Sequence, residues 1–149
     1  MALNLRGANM NGWLPPNKIR VSLGTAVVLG LEMAFMKDDA TPTAAYLQTY
    51  YAGRCIANCK FCAQARDSHA KSDRIARGLY PPYDFNLMLQ RLKKATRHNL
   101  IRRNCIQTVN YPNMFNDLLW LVKRIKKETT APISVSIHSV SPGKLKRLK

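Results

Sequence analysis

Carboxylates are scarce in this chain. Its 149 residues carry 8 Asp and Glu against 24 Lys and Arg, a formal net charge of +16, and a field of that sign raises the local concentration of any polyanion. Long apolar runs are missing too. The most apolar stretch, residues 21–36, is shorter than a bilayer-spanning segment and is interrupted by Gly24, Gly30 and Glu32, so it reads as a buried helix, not a membrane helix. No export signal is legible and cysteine is limited to 4 residues, which points to a reducing cytoplasm where thiols stay free. The basic runs at 91–94, 97–103, 123–127 and 144–149 lack interleaved aromatics. They read as solvated helix faces, and nucleic-acid binding is expected to be non-specific. With 46% apolar residues, the length suits one folded domain better than two.

What cysteine there is, is concentrated. Cys55, Cys59 and Cys62 stand within eight positions in the spacing Cys-x3-Cys-x2-Cys, close enough for three thiolates to converge on one soft metal centre. Structural zinc takes four protein ligands, whereas a cubic four-iron cluster on three thiolates keeps one iron open to a substrate. Three cysteines therefore favour an iron–sulfur site that does chemistry. Other uses of the same thiols stay open: a zinc site recruiting His69 or Cys105, a redox pair at Cys59 and Cys62, or a disulfide.

The triad, with aromatic Phe61 just before its last cysteine, resembles the signature of the radical S-adenosylmethionine enzymes. The segments Ile19-Arg20-Val21-Ser22-Leu23-Gly24, Val27-Val28-Leu29-Gly30-Leu31 and Ala63-Gln64-Ala65-Arg66 are similar to the branch containing biotin synthase and the archaeal two-subunit lipoyl synthases. This likeness runs from about residue 14 to residue 149. The resemblance implies a [4Fe–4S] cluster on Cys55, Cys59 and Cys62, with S-adenosylmethionine chelated by the open iron through its amino and carboxylate groups. It implies reductive cleavage to a 5′-deoxyadenosyl radical, an electron donor such as ferredoxin or flavodoxin, and radical sulfur insertion as the reaction class. Phe61 is then expected against the adenine.

Other residues take their expected roles from the same resemblance. The family's Gly-Gly-Glu-Pro-like turn corresponds here to Val109-Asn110-Tyr111-Pro112, matched only at Pro112, with Asn110 expected to offer its side-chain carbonyl to the methionine amino group. Cys105 aligns with a cysteine that holds a second iron–sulfur cluster in biotin synthase, although a lone strand cysteine is also an ordinary core residue. The third strand offers Ser136, Ile137 and His138 where a further thiolate is expected; His138 reads as a structural residue. His69 and His98 carry no readable role.

Along the chain, residues 1–42 read as an N-terminal arm with Trp13 and Leu14 as anchors, followed by a helix over 18–36. Residues 43–149 read as the barrel segment. Strands are expected at 43–51, 101–109 and 133–138, with a long polar connection over 67–82. Helices are expected after Asp84, Asn113 and the Ser141-Pro142 pair, the first presenting Phe85, Met88, Leu92 and Ala95 on one face. That β-α-β-α-β-α order predicts an α/β fold with a wholly parallel sheet. It corresponds to the first half of a radical S-adenosylmethionine partial barrel, with an open strand edge, an uncovered apolar face and a partner chain to complete it.

Overall fold

The computed structural model of the chain describes residues 12–36, 40–75 and 78–149. Five strands form one mixed sheet in the order β5-β1-β2-β6-β7, where β1 is Lys18–Val21, β2 is Ala44–Thr49, β5 is Pro82–Asp84, β6 is Arg103–Gln107 and β7 is Ile133–Ser136. A separate two-stranded ribbon pairs β3 (Arg74–Ile75) with β4 (Gly78–Leu79). Four helices, α1 (Leu23–Val28), α2 (Phe85–Arg97), α3 (Met114–Glu128) and α4 (Pro142–Leu148), complete the elements among the described residues.

The three expected strands form and run parallel to one another, β2 beside β6 and β6 beside β7. The sheet as a whole is not parallel, because β1 pairs antiparallel with both β2 and β5. The helix expected over 18–36 is likewise corrected. Its first four residues are β1, with Ile19 and Val21 fully buried on one side and Arg20 on the other, a period-two pattern with β-branched residues that sheet pairing captures. Strand β1 therefore shares one sheet with β2, Ile19 lying opposite Thr49 and Val21 opposite Leu47, and Ala26 of the helix over 23–28 joins the same core. The connection over 67–82 also carries more structure than expected, since β3, β4 and the start of β5 fall within it.

Local chemistry explains the helix ends. Ser22 caps α1 by accepting from the Thr25 amide, and Asp84 caps α2 by accepting from the Leu87 amide at 2.8 Å, each satisfying an amide left free in a first turn. Helix α1 stops because Gly30 takes φ +65, allowing its own amide to reach Val27 O at 3.0 Å and the Leu31 amide to reach Ala26 O at 2.8 Å. Asn99, at φ 58, ends α2 in the same way, its amide reaching Thr96 O and that of Leu100 reaching Ala95 O.

Period-two alternation gives the sheet two unlike faces. One carries Ile19, Val21, Leu47 and Ile106 into a single core with Phe85, Met88 and Leu92 of α2 and Leu118, Leu121 and Ile125 of α3. The opposite face presents Arg20, Tyr46, Gln48, Cys105 and Gln107. The open face is thus polar and not the apolar surface expected; Arg20 and Gln48 are nevertheless buried, because the chain after β2 folds over them.

The N-terminal arm is anchored by polar chemistry. Trp13 Nε1 donates to Asp117 Oδ1 at 2.7 Å and Tyr111 Oη donates to Asp117 Oδ2 at 2.7 Å, while Leu14 remains 55% exposed. Burial holds the Asp117 carboxyl above its ordinary range, against the opposing pull of the two donors.

Two outcomes follow from this packing. Leu47→Ala, at a fully buried site in the sheet centre, is expected to lower the unfolding free energy by about 2–5 kcal/mol in urea titrations; a loss below about 1 kcal/mol contradicts the packing. A carboxyl whose pKa is raised in the folded state binds its proton more tightly there, so its contribution is present at low pH and lost as pH rises through its native pKa. The unfolding free energy of the wild type minus that of Asp117→Asn should therefore fall as pH rises from the ordinary carboxylate range through the raised native pKa. A flat or rising difference removes the burial argument.

Candidate metal centre

Strand β2 ends at Thr49, and the segment that follows carries the three cysteines beyond the carboxyl ends of β2 and β6. That end of a parallel sheet is where α/β folds place reactive loops. The entry to the loop is fixed by Gly53. A Cβ there would lie 2.6 Å from the ring of Tyr51, which stacks on Tyr111 with centroids 4.7 Å apart, so any larger residue has to displace an aromatic pair.

Backbone hydrogen bonds shape the loop around the triad. The Cys62 amide donates to Cys59 O at 3.0 Å, the Ala65 amide to Cys62 O at 3.1 Å, and the Cys55 amide to Gln64 O at 3.1 Å, so the first cysteine is tied to the residue two beyond the last. The Ile56 amide reaches Asn110 O at 2.9 Å, joining the loop to the turn after β6. Arg54 donates from Nη1 to Ala63 O at 3.0 Å and from Nη2 to Ala70 O at 2.6 Å. At the tip, Asn58 Nδ2 donates to Asp67 Oδ2 at 2.8 Å, and Arg66 Nε pairs with Asp67 at 3.1 Å. The Arg66 hydrogen bond holds the Asp67 carboxyl below its ordinary range.

All three thiols are free and none is closed off from solvent: Cys55 and Cys62 are half-buried and Cys59 is exposed. Among the described residues no three His, Cys, Asp or Glu side chains form a finished metal-ligand group. The fit to a cluster therefore rests on the donor set, three uncapped thiols on one backbone-braced loop, which are the ligands an iron–sulfur centre takes.

The remaining sequence-selected residues are placed as follows. Phe61 is 92% exposed. Asn110 engages the loop through its backbone carbonyl, and exposed Pro112 lines a cleft of about 370 Å³ together with Trp13, Tyr50, Tyr51, Tyr111 and Asn113. Cys105 is half-buried on the polar face, between Tyr46 and Ser134 in register, and accepts from Ser134 Oγ at 3.1 Å. His69, His98 and His138 are exposed.

Three residues given no role from sequence prove central to the loop's placement. Gln48 and Gln64 exchange two side-chain hydrogen bonds, at 2.7 and 2.9 Å. Arg20 donates to Tyr80 O at 3.0 Å and to Ser72 Oγ at 3.4 Å, and its burial lowers its pKa from the ordinary value, partly offset by Tyr50 and Asp73. For Arg20 and Gln48 the available signal was a polar residue next to apolar neighbours on a strand; Gln64 lies in a loop and carried no such signal. Comparison of the chain with models of known protein families, with curated proteins and with solved structures finds no match in any of the three.

Proposed function

We propose that this chain is a radical S-adenosylmethionine protein that holds a [4Fe–4S] cluster on Cys55, Cys59 and Cys62, its sheet being the first part of a partial barrel. The carrying observation is the delivery of three free thiols, on one braced loop, to the carboxyl end of parallel strands. When bound, the cluster and S-adenosylmethionine supply the one-electron chemistry that generates a carbon radical.

The chain's own part is binding, orientation and exclusion of water. Cys55, Cys59 and Cys62 would hold the cluster, which would supply a site for a small-molecule ligand. The Ile56–Asn110 backbone bond sets the distance between the loop and the turn that begins at Val109, the edge on which an amino-acid moiety would be gripped. The neutral polar row of Tyr46, Cys105 and Ser134 faces the same side of the sheet as the loop's anchor Gln48 and provides hydrogen-bonding groups without adding charge. Radical sulfur insertion is the reaction class the resemblance implies, with Cys105 as the one thiol outside the triad.

Anaerobic reconstitution with iron and sulfide is expected to give about four irons per chain, and Cys55→Ala, Cys59→Ala or Cys62→Ala to abolish that uptake, while Cys105→Ala retains it. Stoichiometric zinc in place of iron, or full iron retention in any triad variant, overturns the assignment. The polar face is open at Tyr46, 41% exposed, so solvent reaches the side on which a substrate would lie. Steady formation of 5′-deoxyadenosine with dithionite is therefore not expected from the isolated chain, and its appearance would show that no covering partner is needed.

A further inference from the structure

We infer that Gln48 and Gln64, braced by Arg20, are positioning residues that fix where the cysteine loop sits on the sheet. Arg20 of β1 and Gln48 of β2 are cross-strand partners on the polar face, and both are more than nine-tenths buried, at 6% and 3% exposure. Burying such groups is costly unless their hydrogen bonds are made. Here those of Gln48 run to the loop, and those of Arg20 to Tyr80 O at 3.0 Å and to Ser72 Oγ at 3.4 Å. Gln48 exchanges both amide hydrogen bonds with Gln64, and Gln64 also donates to Ser72 O at 2.8 Å, the residue whose hydroxyl accepts from Arg20.

Gln64 is therefore a hub. Its backbone carbonyl receives the amide of Cys55, it stands two residues past Cys62, and its side chain is clamped to the sheet and to Ser72. The first and last cysteines are consequently registered against the same buried amide. Releasing that amide frees both ends of the triad together, whereas Cys105, on β6, is held by the sheet itself.

The test uses the full chain. In the reduced apo protein, Gln64→Met, which keeps side-chain bulk and removes all three side-chain hydrogen bonds, is expected to speed iodoacetamide alkylation of Cys55 and Cys62 by about tenfold. The rate at Cys105, read by mass spectrometry in the same sample, should stay unchanged. In protein reconstituted with iron and sulfide, iron release to a chelator should rise by a similar factor and the spectrum of the reduced cluster should shift. This second readout alone rests on the cluster reading; a wild-type chain that takes up no iron refutes that reading, while alkylation still decides the anchor. If Gln64→Met does not fold, Gln48→Met, which leaves the Gln64–Ser72 bond in place, decides instead. Wild-type alkylation rates in a folded variant overturn the inference, as does failure of both variants to fold, because the pair would then be a requirement of the fold and not of the loop.

Discussion

Two neighbouring residues of β2 face opposite ways, and much of the molecule follows from that. Leu47 enters the core between sheet and helices, while Gln48 goes to the polar face and meets Gln64. Because strand side chains alternate strictly, a one-residue slip of β2 would exchange them, setting a leucine against the buried Gln64 amide and pushing an amide with no partner into the core. The hydrophobic core therefore fixes the register of β2, and that register fixes where the cysteine loop is held. Stability and site geometry are coupled through one strand.

Charge is distributed under a second constraint. Of the few carboxylates described, Asp84 caps α2, Asp117 ties the arm to α3, Glu32 accepts from Tyr83 and Glu128 pairs with Lys93. Burial, reinforced by Glu32, pushes the Tyr83 phenol well above its ordinary value. Two ion pairs occur among the described residues, and both are solvent-accessible pairs of small energetic weight. Most cations thus have no internal counter-charge to draw on. Helix α4, with no buried residue, is steadied partly by Lys144 and Arg147 over the ring of Phe115, at 5.2 and 5.4 Å, a use of cationic side chains that needs no carboxylate.

The loop combines firm backbone bracing with accessible thiols. Bracing from Arg54, Gln64 and Asn110 places every turn of the segment, yet Cys59 and Phe61 at its tip remain exposed. Such a division suits a centre whose ligands must be pre-positioned while one side stays reachable. Among the described residues Phe61 contributes nothing to the buried core.

By itself the sequence determined what is local. The thiol spacing, the caps at Asp84 and Ser141, the helical spacing of α2 and the strand signals of β2, β6 and β7 are properties of short windows, and they are legible because each needs only neighbouring residues to be satisfied. Tertiary structure decided what depends on distant partners. Residues 18–21 border the apolar stretch that reads as a helix, and became a strand because Leu47, Gln48 and Thr49 on one side and β5 on the other offered a backbone ladder. The antiparallel edge of the sheet follows from the same pairing. Gln48 and Gln64 are sixteen residues apart, and no window reveals that their amides meet; only the fold of the loop back onto the polar face makes either residue matter, since a buried amide takes its value from its partner.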